Sequence, residues 1–242
     1  MKKFILGAAM AAIAATGITA QAQNSVFESD DNTMIVRPVI SLDVTCPTDV
    51  SLIDGLLKSN LLDPGAGLSF GADLQIPLWK NLYLRPGAQF YYHTAKFSKE
   101  ILNQMEAEDG LTPISGSVRE FGLSIPIVVG YHFDLDPVKL HFFTGPEFNI
   151  GFSGKVHAGY RSNGVKLNSS ESMYDELRRG DVAWVVGAGV EYDRFYVSLS
   201  AKPGMVNWVK DDITYGTSAN ENYKLKMKKT NVSIAVGYNF SL

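Results

Sequence analysis

The sequence contains a single cysteine, Cys46, among 242 residues, and it is poor in charged side chains. One thiol forms no intramolecular disulfide, so the fold has to depend on burial and hydrogen bonding. Asp, Glu, Lys and Arg make up 19% of the chain, against about a quarter in typical soluble domains. The 22 basic and 25 acidic side chains leave a net charge of −3. Nucleic-acid binding needs a basic face, so we expect no nucleic-acid partner.

Long apolar runs are also scarce, and a mean hydropathy of −0.01 excludes both a bundle of membrane helices and a disordered chain. The unbroken apolar run from Phe4 to Ala15 follows Lys2-Lys3 and precedes Ala20-Gln21-Ala22. This order is typical of a cleaved signal peptide. The competing interpretation is an uncleaved anchor, but the run is shorter than the ~20 residues that a spanning helix needs. We therefore expect export, with residues 1–22 removed as the signal peptide.

Alternation of apolar and polar residues is the main pattern that the sequence does contain, and it is typical of β-strands. The alternation is clearest from Leu68 to Leu78, Phe121 to Phe133 and Leu140 to Phe152. Weaker versions run from Ile35 to Val44, Leu82 to Thr94, Val182 to Tyr192, Phe195 to Val206 and Leu225 to Phe240. The sequence thus predicts eight strands, with an N-terminal extension over 23–33 and a single barrel domain over 34–242.

The predicted connections alternate between tight turns and long loops. Turns at 79–81, 134–138 and 193–194 are short, whereas the stretches near 46–65, 95–116, 153–181 and 207–224 are long. Outer-membrane barrels show this asymmetry, with short periplasmic turns, long extracellular loops and an even strand count. The polar face of each strand is rich in Gly and Ser, which suits a narrow barrel interior, and the other face carries bulky residues that suit lipid. We predict an all-β, eight-stranded antiparallel up-and-down transmembrane β-barrel; a soluble periplasmic barrel that binds an apolar ligand is the alternative.

Aromatic residues cluster near the predicted strand ends, as in the aromatic girdles of membrane barrels. The girdle residues expected near the short turns are Trp79, Tyr83, Tyr131, Phe133, Tyr192, Phe195, Tyr238 and Phe240. Those expected near the long loops include Trp184 and Trp208, together with Phe90, Tyr92 and Phe152. The alternative is that these rings fill the core of a soluble barrel.

Several phrases of the sequence resemble the PorT-like outer-membrane β-barrel family. They are Ile76 to Gly87, Ser124 to Tyr131, Phe143 to Glu147 and the ending Val236 to Phe240. The resemblance covers nearly all of the chain after the signal peptide. It implies an eight-stranded barrel that the outer-membrane assembly machinery inserts. These motifs mark strands and turns and carry no chemistry, so no functional residue follows from them.

Charged residues on the predicted lumen face are the best candidates for a site. They are Arg37, Asp73, Arg85, Glu120, Glu147, Glu191 and Lys202, with His132 and His141 near the short turns. Isolated buried ions cost several kcal/mol, so we expect Arg85 and Lys202 within reach of Asp73, Glu147 or Glu191. The cluster is interpreted as a set of ion pairs that fills the lumen, and the alternative is a polar conduit or ligand pocket.

The remaining patterns favour a non-enzymatic protein without a cofactor. His93, His132, His141 and His157 lie on different segments and lack the short spacings of metal ligands. We expect a structural or interaction role in the cell outer membrane. The expected partners are the surrounding outer-membrane lipid and a possible protein that contacts the loops. A narrow pore and an outer-membrane lipid-modifying enzyme are the alternative functions. The segment from Ser172 to Arg179 reads either as a contact surface or as a cap over the barrel mouth.

Overall fold

The computed structural model describes residues 33–52, 62–98, 112–162, 165–210, 214–215 and 223–242. At residues 47–52, 112–113, 162, 165, 214–215 and 223–226 it describes the backbone alone. The predicted signal peptide lies outside the described residues, as does the predicted N-terminal extension apart from Thr33.

Strands account for most of the described chain. They are β1 (Ile35–Leu52), β2 (Gly65–Trp79), β3 (Leu82–Lys96), β4 (Thr112–Leu135), β5 (Val138–Ser162), β6 (Val165–Ser172), β7 (Gly180–Tyr192), β8 (Phe195–Lys202), β9 (Thr214–Tyr215), β10 (Tyr223–Tyr238) and β11 (Phe240–Ser241). A 3-10 helix over Met173–Asp175 lies between β6 and β7. Among the described residues, no helix combines the length and the apolar character needed to cross a membrane.

Eight of these strands close into an antiparallel ring. The order around the ring is β1-β2-β3-β4-β5-β7-β8-β10, and β10 pairs back onto β1. The short strands lie outside this path, because β6 pairs with β5, β9 with β10 and β11 with the start of β1. The predicted eight-stranded antiparallel barrel is confirmed.

The two faces of the ring differ in the way that a membrane barrel requires. Bulky apolar side chains are exposed on the outer surface, among them Leu42, Leu68, Phe70, Leu199 and Ile234. The buried polar side chains fill the inside, and they include Arg37, Asp43, Glu120 and Glu147. A soluble barrel would have the reverse arrangement, with the apolar side chains inside and the polar side chains outside. The alternative of a soluble ligand-binding barrel is therefore wrong.

The three tight turns lie at the end of the barrel that also holds the start of β1 and the described C-terminal strand β11. The turns join β2 to β3, β4 to β5 and β7 to β8. Lys80 and Asp193 adopt positive φ values of 49° and 54°, which lets the chain reverse within two residues. Near the termini, the Leu242 amide donates to the Met34 carbonyl at 2.9 Å.

The predicted long loops are partly wrong, because several strands run further than the alternation indicated. β5 continues to Ser162 and returns as β6, where a loop over 153–181 was predicted. The lipid-facing belt of the barrel ends near Phe121 and Phe152 on this side. Beyond it the outer face of the strands meets water, so polar residues occupy both faces and the alternation is lost. In contrast, β8 ends at Lys202, before the predicted Val206. Isolated contacts with β7 follow, among them a bridge between Gly204 and Ala183 and a hydrogen bond from the Met205 amide to the Val182 carbonyl at 2.8 Å.

Two of the predicted girdle residues are wrong. Tyr83 is 1% exposed and lies inside the barrel, because it is two residues from Arg85 and therefore shares its lumen face. Trp208 is 5% exposed and packs over the barrel mouth, since β8 has already ended. The other girdle residues of the prediction lie on the outer surface: Trp79, Tyr131, Phe133, Tyr192, Phe195, Trp184 and Phe240 are exposed, and Tyr238 is half-buried.

The outward apolar face yields a test of lipid exposure. Ile234 is 55% exposed, and in register it faces Leu42 and Leu199. Ile234→Arg should lower the free energy of unfolding by about 2–4 kcal/mol, the cost of a cation near the bilayer centre. Phe240→Arg on the same face, beside the chain terminus, is the control and should cost at most about 1 kcal/mol. Urea unfolding in lipid vesicles measures both, and equal costs would contradict the assigned membrane position.

Candidate functional site

The lumen near the turn end is organised around Arg37, which is fully buried. Its Nε donates to Asn239 Oδ1 at 2.6 Å, and its Nη2 donates to Gln75 Oε1 at 3.1 Å. Two carboxylates complete the site: Asp73 Oδ1 lies 3.4 Å from Nη1, and Glu191 Oε2 lies 3.6 Å from Nη2. One guanidinium thus joins side chains from β1, β2, β7 and the segment after β10.

Tyr196 lies between two guanidinium groups in the next part of the lumen. Arg37 lies over the Tyr196 ring at 3.9 Å from its centroid, and Arg85 Nη1 donates to its Oη at 2.7 Å. Arg85 Nε is also 3.9 Å from Asp73 Oδ2, and its guanidinium is 4.1 Å from the Phe143 ring. Cation–π contacts of this kind strengthen in a desolvated interior, so the aromatic rings help to hold both cations.

Two histidines pack together beside this arginine pair. His132 and His141 face each other across β4 and β5, with ring centroids 5.5 Å apart. His141 Nε2 lies 3.2 Å from Glu191 Oε2, and its Nδ1 lies 3.2 Å from Tyr83 Oη. The Tyr83 ring stacks near His132 as well, at 6.3 Å.

The middle of the lumen holds a second group of ions. Lys202 Nζ lies 2.8 Å from Glu147 Oε2. Asp43 accepts hydrogen bonds from the hydroxyls of Ser69 and Ser233, and His93 Nε2 lies 3.4 Å from it. These partners lie on strands that do not all adjoin one another, so the contacts reach across the lumen.

Glu120 forms the outermost polar group of the lumen. Its Oε2 is 2.7 Å from Lys229 Nζ, and its Oε1 accepts from the hydroxyls of Tyr91 at 3.1 Å and Tyr174 at 3.3 Å. Burial, and after it the neighbouring Glu120 carboxylate, raises the pKa of the Tyr174 phenol, so Tyr174 stays a neutral donor. Lys229 belongs to β10 and Glu120 to β4, which lie on opposite sides of the ring.

An apolar cluster closes the lumen above Glu120. We call this group the cap; its buried members are Leu62, Val118, Met173, Tyr174, Trp208, Val209 and Met227. The 3-10 helix over Met173–Asp175 contributes two of them, so the segment from Ser172 to Arg179 covers the mouth. A cavity of about 50 Å³ lies in the lumen beside Asp73, Arg85 and Lys202, and another of about 30 Å³ lies between the cap and Glu120.

The structure places all seven predicted lumen residues inside the barrel and brings them into ion pairs. Arg37 and Arg85 share Asp73, and Lys202 pairs with Glu147, one of the three acids predicted to lie within its reach. The sequence analysis missed Asp43, His93, Lys229, Tyr83 and Tyr196 as lumen residues. Strict alternation would have found Asp43 and Tyr83, because each shares parity with Arg37 or Arg85 on its own strand. Within the described residues, no group of three or more His, Cys, Asp or Glu side chains could hold a metal ion.

A β-barrel with an apolar exterior, a polar packed interior and tight turns at one end is an outer-membrane barrel. A family model described as "Outer membrane protein beta-barrel domain" matches residues 57–208. This match covers more than half of the chain, and the chain belongs to that family. The protein is therefore an outer-membrane β-barrel protein.

Comparison with solved structures finds other small outer-membrane barrels. The chain is similar to the attachment invasion locus protein Ail of Yersinia pestis, solved with the heparin analogue sucrose octasulfate, at 12% identity and a TM-score of 0.39, covering 86% of this chain and 99% of Ail. For OprG of Pseudomonas aeruginosa the identity is 11% and the TM-score 0.47, covering 86% and 96%. For Neisserial surface protein A the values are 14% and 0.34, covering 86% and 97%. No curated protein matches the sequence.

The pairing of Arg37 can be tested by removing its charge. Arg37→Met leaves Asp73 and Glu191 buried without this cation, and breaking a buried pair in this way typically costs about 3–5 kcal/mol. Lys139→Met is the control, because Lys139 lies 3.9 Å from Asp134 at the exposed turn and should cost at most about 1 kcal/mol. The midpoint of the heat-dependent shift in gel mobility reports both. An unchanged midpoint for Arg37→Met would show that the pair does not stabilise the barrel.

The packing of lumen rings against glycine gives a second test. A Cβ built on Gly130 would lie 2.2 Å from Tyr83 Cζ, whereas one on Gly180 would meet nothing within 4 Å. Gly130→Ala should therefore destabilise the barrel by about 1–3 kcal/mol through overpacking, and Gly180→Ala should not. The double variant Gly130→Ala with Tyr83→Leu should recover part of the loss. Failure of that rescue in urea unfolding would contradict the proposed close contact.

Proposed function

We propose that this outer-membrane barrel is a non-enzymatic protein with a structural or interaction role, which presents a rigid surface outside the cell. The observation that carries the proposal is the filled lumen. The cap covers one end, ion pairs occupy the rest, and the cavity below the cap of about 50 Å³ has room for only a few waters. Because solutes have no path through such an interior, the outer surface is what remains for function.

The proposal also includes three predictions made from the sequence. They are export by a signal peptide cleaved after Ala22, insertion by the outer-membrane assembly machinery and membership of the PorT-like branch of barrels. The match to an outer-membrane barrel family supports export and insertion. The hairpin phrase from Ile76 to Gly87 supports the PorT-like assignment. A protein partner would contact the extracellular end.

The positions of the histidines also favour a non-enzymatic role. His93, His132 and His141 are buried in the lumen, away from lipid and solvent. His157 lies outside the ring, where it is in register with Ser117 and Ser170. A hydrolytic site would need an acid to orient this imidazole, and within the described residues no carboxylate forms an ion pair with it.

Planar-bilayer recording tests the filled lumen directly. The purified barrel should show no discrete conductance steps, because its interior is packed. Steps whose ion selectivity changes in Glu147→Gln or Lys202→Gln would instead assign a pore, since these two side chains pair inside the lumen. Mass spectrometry of lipid A from cells with and without the protein should show no difference, and a mass shift would assign the lipid-modifying alternative.

A further inference from the structure

Three strands continue beyond the lipid-facing belt and form a projecting sheet. Phe121 on β4 and Phe152 on β5 are exposed, with ring centroids 6.0 Å apart. β5 then continues to Ser162, about 30 Å further at ~3.3 Å per residue. β6 pairs with this part of β5 from Ser172 back to Val165. The inner face of the projecting sheet packs on the cap through Val118 and Val156, and the described part of the chain leaves the outer face exposed.

The outer face of the projecting sheet carries an excess of cations. Alternation places Lys96, Arg119, Lys155, Arg161 and Lys166 on this face, and all five are exposed. Among the described residues, none of the five forms an ion pair with a carboxylate. Glu171 is directly opposite Val156, which places it in register with the inner face, although it also lines a hollow that contains Lys155.

Two of the cations directly face each other just above the lipid-facing aromatics. Arg119 on β4 is in register with Lys155 on β5. Like charges that are directly opposite across a sheet repel and destabilise it. An anion bound between them would turn this repulsion into two charge-assisted contacts. The pair therefore indicates an anion site built from Arg119 and Lys155.

Two hollows surround this pair, and both offer hydrogen-bond donors. A groove of about 490 Å³ is lined by the cations Lys96 and Arg119, the hydroxyls of Ser115, Ser117 and Ser169, and the amide of Asn168. A second hollow of about 250 Å³ brings Lys155 and Arg179 beside Ser170, Ser172 and the lipid-facing Phe152, with Glu171 as its only carboxylate. Cations, hydroxyls and an amide are the groups that bind phosphate on a sugar.

The position of Arg119 and Lys155 relative to the lipid bilayer identifies the source of the anion. Arg119 is two residues beyond Phe121, which is about 7 Å along the strand. The headgroup layer of a bilayer is itself about 5–8 Å thick on each side. The pair thus lies level with lipid headgroups and continues the lipid-facing surface. We propose that Arg119 and Lys155 bind the phosphates of an anionic glycolipid in the outer leaflet, an inference that rests on the outward presentation of this end under the proposed function.

A matched pair of variants tests the glycolipid site. Arg119→Gln/Lys155→Gln removes the lower pair, and Arg161→Gln/Lys166→Gln removes a second like-charged pair in register on β5 and β6. Arg161 lies six residues, or about 20 Å, beyond Lys155, which exceeds the screening length of about 8 Å in physiological salt. Binding of bisphosphorylated lipid A in vesicles of neutral lipid should weaken about thirty-fold for the lower pair, at roughly five-fold per cation. The upper pair should change it less than about two-fold.

The other outcomes overturn the inference. Unchanged lipid A binding in the lower-pair variant would refute it. Equal losses in both variants, with the same losses for the delipidated phosphorylated oligosaccharide, would assign the whole face to a soluble polyanion. Thermal unfolding in neutral detergent verifies folding, and the lower-pair variant should be at least as stable as the parent because a repulsion is removed.

A separate measurement keeps the inference distinct from the proposed function. Ser170→Cys in a Cys46→Ser background places one thiol on the projecting sheet. A membrane-impermeant maleimide should label it on intact cells. No labelling on intact cells, with labelling after lysis, would overturn the outward presentation and thus the proposed function. Labelling together with unchanged lipid A binding in the lower-pair variant would overturn the glycolipid site alone.

Discussion

The pairing of charges across a narrow lumen is the constraint on which the rest of the structure depends. Arg37, Arg85, Lys202 and Lys229 each lie within 4 Å of a carboxylate, and Lys229 reaches Glu120 from the opposite side of the ring. An unpaired ion in this interior would cost several kcal/mol. The contacts that pair these four cations therefore also fill the space inside the described part of the barrel and hold distant strands at a fixed separation.

Under the proposed function, the filled lumen leaves the outer surface of the molecule to carry the role. The cap shields the outermost ion pair from water on one side. On the other side its member Val118, with Val156 packed against the cap, supports the projecting sheet. One apolar cluster thus closes the barrel and stiffens the surface that stands above the membrane. The closure of the lumen and the support of the projecting sheet therefore both depend on the packing of the cap.

The fold follows from the sequence wherever one face meets lipid and the other meets the lumen, because period-two alternation is then strong. Leu68 to Leu78 and Phe121 to Phe133 are such segments, and the structure has them as strands. Beyond the belt, residues 153–162 face water and cap, so their strand is invisible to the same pattern. The aromatic character of Tyr83 predicts a girdle residue, and this prediction is wrong. Its spacing of two residues from Arg85 is the signal that places it inside the barrel. The cross-lumen partners, such as Lys229 and Glu120, depend on ring closure, which no local pattern contains.

The continuity of β4 and β5 has a mechanical consequence. Both strands run from the turn at Leu135 and Val138 to the tip of the projecting sheet, with two register shifts and with a gap in the pairing at Ile127 and Val128. Because β4 and β5 are each a single strand, the projecting sheet is continuous with the barrel wall. A load applied at its tip passes as shear into the hydrogen bonds of the barrel wall, and anything attached there is held at a fixed height and angle to the cell surface.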